Sequence, residues 1–179
     1  VCTSPKQYTG FTPGTSHTIR VWARNAATPP QPGAVTSDTR VTGSGSGPTL
    51  NAVPASSGGW INDPTVLPIT LVATDPDGVS EARYNWNSAA SSTVGTTYTN
   101  NQEIDPIEGS NNLYLWGRDS LGTQSTAGPF GLYQVDSVSP DIVSNIQSTP
   151  ASPTTDTTPS WSWNAASDPA PSSGIASYS

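Results

Sequence analysis

An all-β fold is what this 179-residue sequence predicts, and three observations predict it. Short β-branched and aromatic runs alternate apolar with polar residues, the period of a half-buried strand. Turn-forming clusters separate those runs, drawing on 16 Gly and 18 Pro. No long segment carries a 3.6-residue apolar period free of Pro or Gly, so no substantial helix is expected. Six Trp and six Tyr, set in clear alternation, argue against disorder in the middle of the chain.

The elements follow in order. A first strand is expected at 7–11, then a tight turn at Thr12-Pro13-Gly14-Thr15. The run 17–24 is the next strand, with His17, Ile19, Val21 and Ala23 facing inward and Thr18, Arg20, Trp22 and Arg24 outward. A Pro-rich irregular loop at 25–33 leads to a strand at 35–41. Residues 43–50, opening Gly43-Ser44-Gly45-Ser46-Gly47-Pro48, read as a flexible linker or as the bend into a further strand. Within 51–136, strands are expected at 65–73 (TVLPITLVA), 81–87 (EARYNWN), 93–100 and 102–107. Glu108-Gly109-Ser110-Asn111 makes a corner before strands at 112–118 (NLYLWGR) and 128–135 (GPFGLYQV). In 137–179, the run 158–164 (TPSWSWN) is a strand with Trp161 and Trp163 on one face, and 174–178 begins another. Val21-Trp22-Ala23-Arg24-Asn25 lines up with Leu115-Trp116-Gly117-Arg118-Asp119, an internal repeat.

Charge narrows the function classes. A net charge of −7 with a single Lys argues against nucleic acid, which needs a basic stripe to neutralise phosphate. No apolar run approaches the roughly 20 residues that span a bilayer, so no membrane insertion is expected. Catalysis has little to stand on. His17 is the one His, and the many Ser residues sit in turns without an activating partner. Glu103 and Asp105 share one face of a strand, where solvated carboxylates are ordinary.

The opening phrase, with Cys2, Ser4-Pro5, Tyr8, Gly14 and the 17–24 strand, resembles the E–F corner and F strand of bacterial fibronectin type III and immunoglobulin-like repeats. Val135-Asp136-Ser137-Val138-Ser139-Pro140 resembles the linker that joins such repeats. The resemblance implies tandem Greek-key β-sandwiches. Residues 1–42 would be the C-terminal half of one, 51–136 a complete one with Trp86 as core aromatic, and 137–179 the N-terminal half of a third. It places His17 in the corner as a structural residue. It implies a secreted or cell-surface protein with a non-catalytic structural role as stalk, sheath or extracellular filament, whose partners are neighbouring copies or repeats. The partial ends fit either a stretch of a longer array or head-to-tail pairing between molecules, a contact that does not close on itself. Two other readings stay open: an adhesin or glycan-binding module on cell-surface glycans, and accessory domains of a large secreted hydrolase.

The resemblance also suggests sites. In such repeats Cys2 would pair with a Cys beyond this chain, in an oxidising compartment; a free thiol is the alternative. Ala73-Thr74-Asp75-Pro76-Asp77-Gly78 is similar to a calcium loop of cadherin-like repeats, and Asp119 ends a strand at the same pole, so Asp75, Asp77 and Asp119 are candidate Ca²⁺ ligands. Turn-forming Asp residues without a metal remain the other reading. Trp22 and Trp116 are expected at the surface, each under an Arg two residues on (Arg24, Arg118), as cation–π stacks or as sugar-binding platforms.

Overall fold

The computed structural model describes residues 7–12, 14–43, 45–153 and 155–179, and its secondary structure is nearly all β. Cys2, and Pro13 of the expected turn, lie outside the described residues. Among those residues no helix is long and apolar enough to cross a membrane.

Two strands form the first sheet: β1 (Ser16–Val21) and β2 (Thr36–Val41) pair antiparallel, with Ser16 opposite Val41. Residues 7–11 form no strand, contrary to the expectation. The neighbouring Thr12 carbonyl is taken by the Thr15 and Thr42 hydroxyls rather than by a ladder, and Phe11 stacks on His17 with ring centres 4.4 Å apart. β1 also stops at Val21, short of residue 24. Beyond it Arg24 bridges Pro32, and Asn25 Oδ1 accepts the N–H groups of Ala27 and Gln31, which turns the Pro-rich loop back on itself. Of the four positions expected inward, His17 and Ile19 are half-buried while Val21 and Ala23 are exposed.

The middle of the chain builds two sheets around one core. One has three strands, in the order β3-β5-β8: β3 (Thr49–Val53), β5 (Ile69–Thr74) and β8 (Gln102–Ile104). The other has five, in the order β4-β10-β9-β6-β7: β4 (Trp60–Ile61), β10 (Gln124–Val135), β9 (Gly109–Asp119), β6 (Val79–Trp86) and β7 (Thr96–Thr97). The chain changes sheet at β3–β4, β4–β5, β5–β6, β7–β8 and β8–β9. Alternation along β5 buries Ile69, Leu71 and Ala73, and along β9 it buries Leu113 and Leu115. These meet Ala52, Ala82, Tyr98 and Tyr133 in a single apolar cluster.

Local chemistry sets several boundaries. β3 starts at Thr49, inside the stretch expected as linker, and Pro48 before it is already buried with its carbonyl bonded by the Ser125 hydroxyl. Ahead of β5, Asp63 caps a 3₁₀ turn at Pro64–Val66, so the strand expected from 65 begins at Ile69. β8 ends at Ile104 because Pro106 has no N–H to give a ladder. β10 carries register shifts between Ala127 and Phe130 and between Phe130 and Tyr133, around Pro129. Trp86 is only half-buried, edge-on to Tyr133 with ring centres 5.6 Å apart. The fully buried aromatic is Tyr133, whose hydroxyl donates to the Pro54 carbonyl at 2.6 Å.

A fourth sheet closes the chain: β11 (Ser144–Thr149) and β12 (Ser160–Asn164), antiparallel. The strand expected at 174–178 is not formed; Tyr178 instead packs on Trp163, ring centres 5.7 Å apart. Trp161 and Trp163 are exposed, since no second sheet covers β12 among the described residues.

Candidate functional site

Two loops meet at one pole of the two-sheet unit. The first, between β5 and β6, is Asp75-Pro76-Asp77-Gly78. Asp75 Oδ1 accepts the Asp77 N–H at 2.8 Å, and the Asp75 carbonyl accepts the Gly78 N–H at 3.0 Å. That turn needs a left-handed residue, and Gly78 supplies it at φ +83°. The second loop joins β9 to β10. There Asp119 Oδ1 accepts the N–H groups of Leu121 and Thr123, at 2.8 and 2.7 Å. Ser120 ties the loops together by donating its N–H to the Gly78 carbonyl at 3.0 Å. Ser80 adds a hydroxyl bond of 2.6 Å to the Asp119 carbonyl.

The result gathers Asp75, Asp77 and Asp119, with one carboxylate oxygen of each within 4.8 Å of the others. Asp119 is 1% exposed, and its Oδ2 is buried with no hydrogen-bond partner. Burial pushes the Asp119 carboxyl up, but hydrogen bonds from Thr123, Leu121 and Gly122 outweigh it and hold the group below its ordinary value. The side chain therefore stays charged at neutral pH. The residues before β3 pass beside it: a side-chain carbon at Gly43 would lie 3.3 Å from Asp77 Oδ2 and run into Leu121. Hard oxygen donors around an ionised, incompletely satisfied carboxylate are the donor set that a calcium-class ion takes.

The two Trp residues expected at the surface behave differently. Trp22 is 49% exposed, whereas Trp116 is 3% exposed and is not a surface aromatic. Trp116 lies on the central strand β9, flanked by Arg83 on β6 and Thr126 on β10. Its Nε1 donates to Gln124 at 3.1 Å, and the Arg118 guanidinium lies 6.0 Å from the ring centre. Glu81 pairs with both Arg83 and Arg118, at 2.7 and 3.1 Å, which keeps those long stems across the same face.

His17 Nε2 is 2.5 Å from the Thr15 hydroxyl and 3.2 Å from the Thr12 carbonyl, within the turn that precedes β1. Glu103 and Asp105 are both exposed. Asp136 escaped sequence reasoning as a site residue, although the linker phrase that contains it was visible; it is 8% exposed with a buried, unpartnered Oδ1. Compared with protein-family models, curated proteins and solved structures, the chain finds no match.

Proposed function

We propose that this chain is a non-catalytic structural segment of a secreted or cell-surface protein, built from tandem Greek-key sandwiches of the immunoglobulin-like or fibronectin III-like kind. One observation carries the reading. The β1–β2 hairpin and the β9–β10 hairpin share the Val21–Asn25/Leu115–Asp119 correspondence, and both are antiparallel. One of them is buried under an opposing sheet, and the other presents Val21, Trp22 and Val35 uncovered. The β11–β12 hairpin likewise leaves Ile146, Trp161 and Trp163 open. Uncovered apolar faces at both ends suit a modular chain whose units complete one another.

Charge favours contact between these two kinds of segment, from neighbouring repeats or from separate copies, as the way those faces are covered. Residues 1–42 carry four basic residues and one acidic, while 137–179 carry three Asp and neither Lys nor Arg. Opposite ends of two copies therefore attract, and a head-to-tail contact propagates into filaments. Within the segment, Asp75, Asp77 and Asp119 would hold Ca²⁺, neutralising the pole where residue 43 enters and stiffening that junction.

Molar mass by light scattering across a concentration series tests the assembly. Growth into ordered species that high salt reverses is expected, and a concentration-independent monomer removes the head-to-tail arrangement. Glycan-array binding abolished by Trp22→Ala would instead favour the glycan-binding module, because Trp22 is the exposed aromatic of the pair.

A further inference from the structure

The far end of β9 and β10 carries a second group of carboxylates. Asp136 directly follows β10, and its Oδ2 accepts the Ser173 N–H at 2.6 Å. The next N–H along the chain, that of Gly174, donates to Asp168 Oδ2 at 2.8 Å. Consecutive backbone donors thus bond one carboxylate each. The other oxygen of each, Oδ1, is buried with no hydrogen-bond partner. Both side chains line one cavity of about 420 Å³, together with oxygen-bearing Asn62, Ser139 and Ser177.

The surroundings make this a junction. Pro171 reaches Gly109 at the start of β9, where an added Cβ would sit 3.5 Å from it. Ser137 donates its hydroxyl to Glu108 at 2.7 Å. A buried carboxylate oxygen without a donor has given up water for nothing, and native structures avoid that. Here two such oxygens belong to residues that line one cavity. No Lys or Arg follows Arg118 in the sequence, and the ion pairs among the described residues include neither Asp.

Two carboxylates balance a divalent ion, and a donor set of oxygens without His or Cys selects a hard one. We infer that Asp136 and Asp168 form a second calcium-class site, at the junction between the two-sheet unit and residues 137–179. It lies at the opposite end of β9 from Asp119. An ion there ties the β11–β12 segment to the unit before it and fixes their relative orientation.

Calorimetric titration of Ca²⁺ into the whole chain tests this, using wild type, Asp136→Asn, Asp168→Asn and Asp119→Asn. Asn keeps an acceptor for the Ser173 or Gly174 N–H, and unfolding followed by Trp fluorescence verifies that each variant still folds. Loss of one bound ion per chain is expected in Asp136→Asn and again in Asp168→Asn, with that same ion retained in Asp119→Asn. An unchanged ion count in both junction variants overturns the inference, and so does a wild type that takes up no Ca²⁺. Loss in Asp119→Asn alone would leave the Asp75, Asp77 and Asp119 site standing while removing this one.

Discussion

Trp22 and Trp116 occupy corresponding places in the sequence, each two residues before an Arg, yet one is half exposed and the other is almost fully buried. Trp22 lies just past the end of β1 and Trp116 within β9, and both hairpins are antiparallel. What differs is the company of the hairpin. β9 has β6 on one side and β10 on the other, and residues of both flank Trp116 on the face away from the core; β1 has β2 alone. A two-stranded sheet cannot bury either of its faces, so its apolar residues stay accessible until something covers them. Stability in this chain should therefore be concentrated in residues 49–136.

The sharpest way to break that contrast is a pair of truncations. Leu113→Ala removes a fully buried side chain and should lower unfolding free energy by about 2–5 kcal/mol. Val21→Ala, on a residue 61% exposed, should change it by less than about 0.5 kcal/mol. Denaturant unfolding measures both, and an equal loss would mean that the β1 face is covered in solution. A finer pair is Trp116→Ala against Trp22→Ala. The first should destabilise by about 3 kcal/mol, through lost packing and the freed Gln124 partner, and the second by well under about 1 kcal/mol.

Acid response sharpens the same contrast with a smaller effect. The Asp119 and Asp136 carboxyls are both held below the ordinary 3.8 in the folded chain. On acidification the unfolded state takes up protons first, so their contribution is intact above the unfolded value and lost as pH falls through the folded ones. Thermal midpoints should therefore be level at neutral pH and decline below about pH 5. Asp119→Asn should flatten part of that decline. A midpoint that rises on acidification would contradict the hydrogen bonding that holds these carboxylates ionised.

Much of this was legible in the chain. The strands expected at 65–73, 81–87, 112–118 and 128–135 overlap those found at 69–74, 79–86, 109–119 and 124–135, because alternation is a signal local enough to read directly, though not to place the ends. The failures were local too, but of another kind. Residues 7–11 and 174–178 have strand-like composition and no ladder, because a strand exists only when an edge is available to pair with it. Trp116 faced the side that alternation assigns outward, and neighbouring strands with their Glu81, Arg83 and Arg118 side chains then covered it.

By itself the sequence determined the all-β character and the acidic balance, because backbone propensity and side-chain charge belong to each residue. The loop resemblance read from the sequence also marked Asp75, Asp77 and Asp119 as companions. Tertiary structure alone decided which hairpins acquired a core, and that Asp136 and Asp168, 31 intervening residues apart, line one cavity. Burial depends on the second sheet and on which loop folds back against which strand end. Those are contacts between distant segments, and no local pattern encodes them.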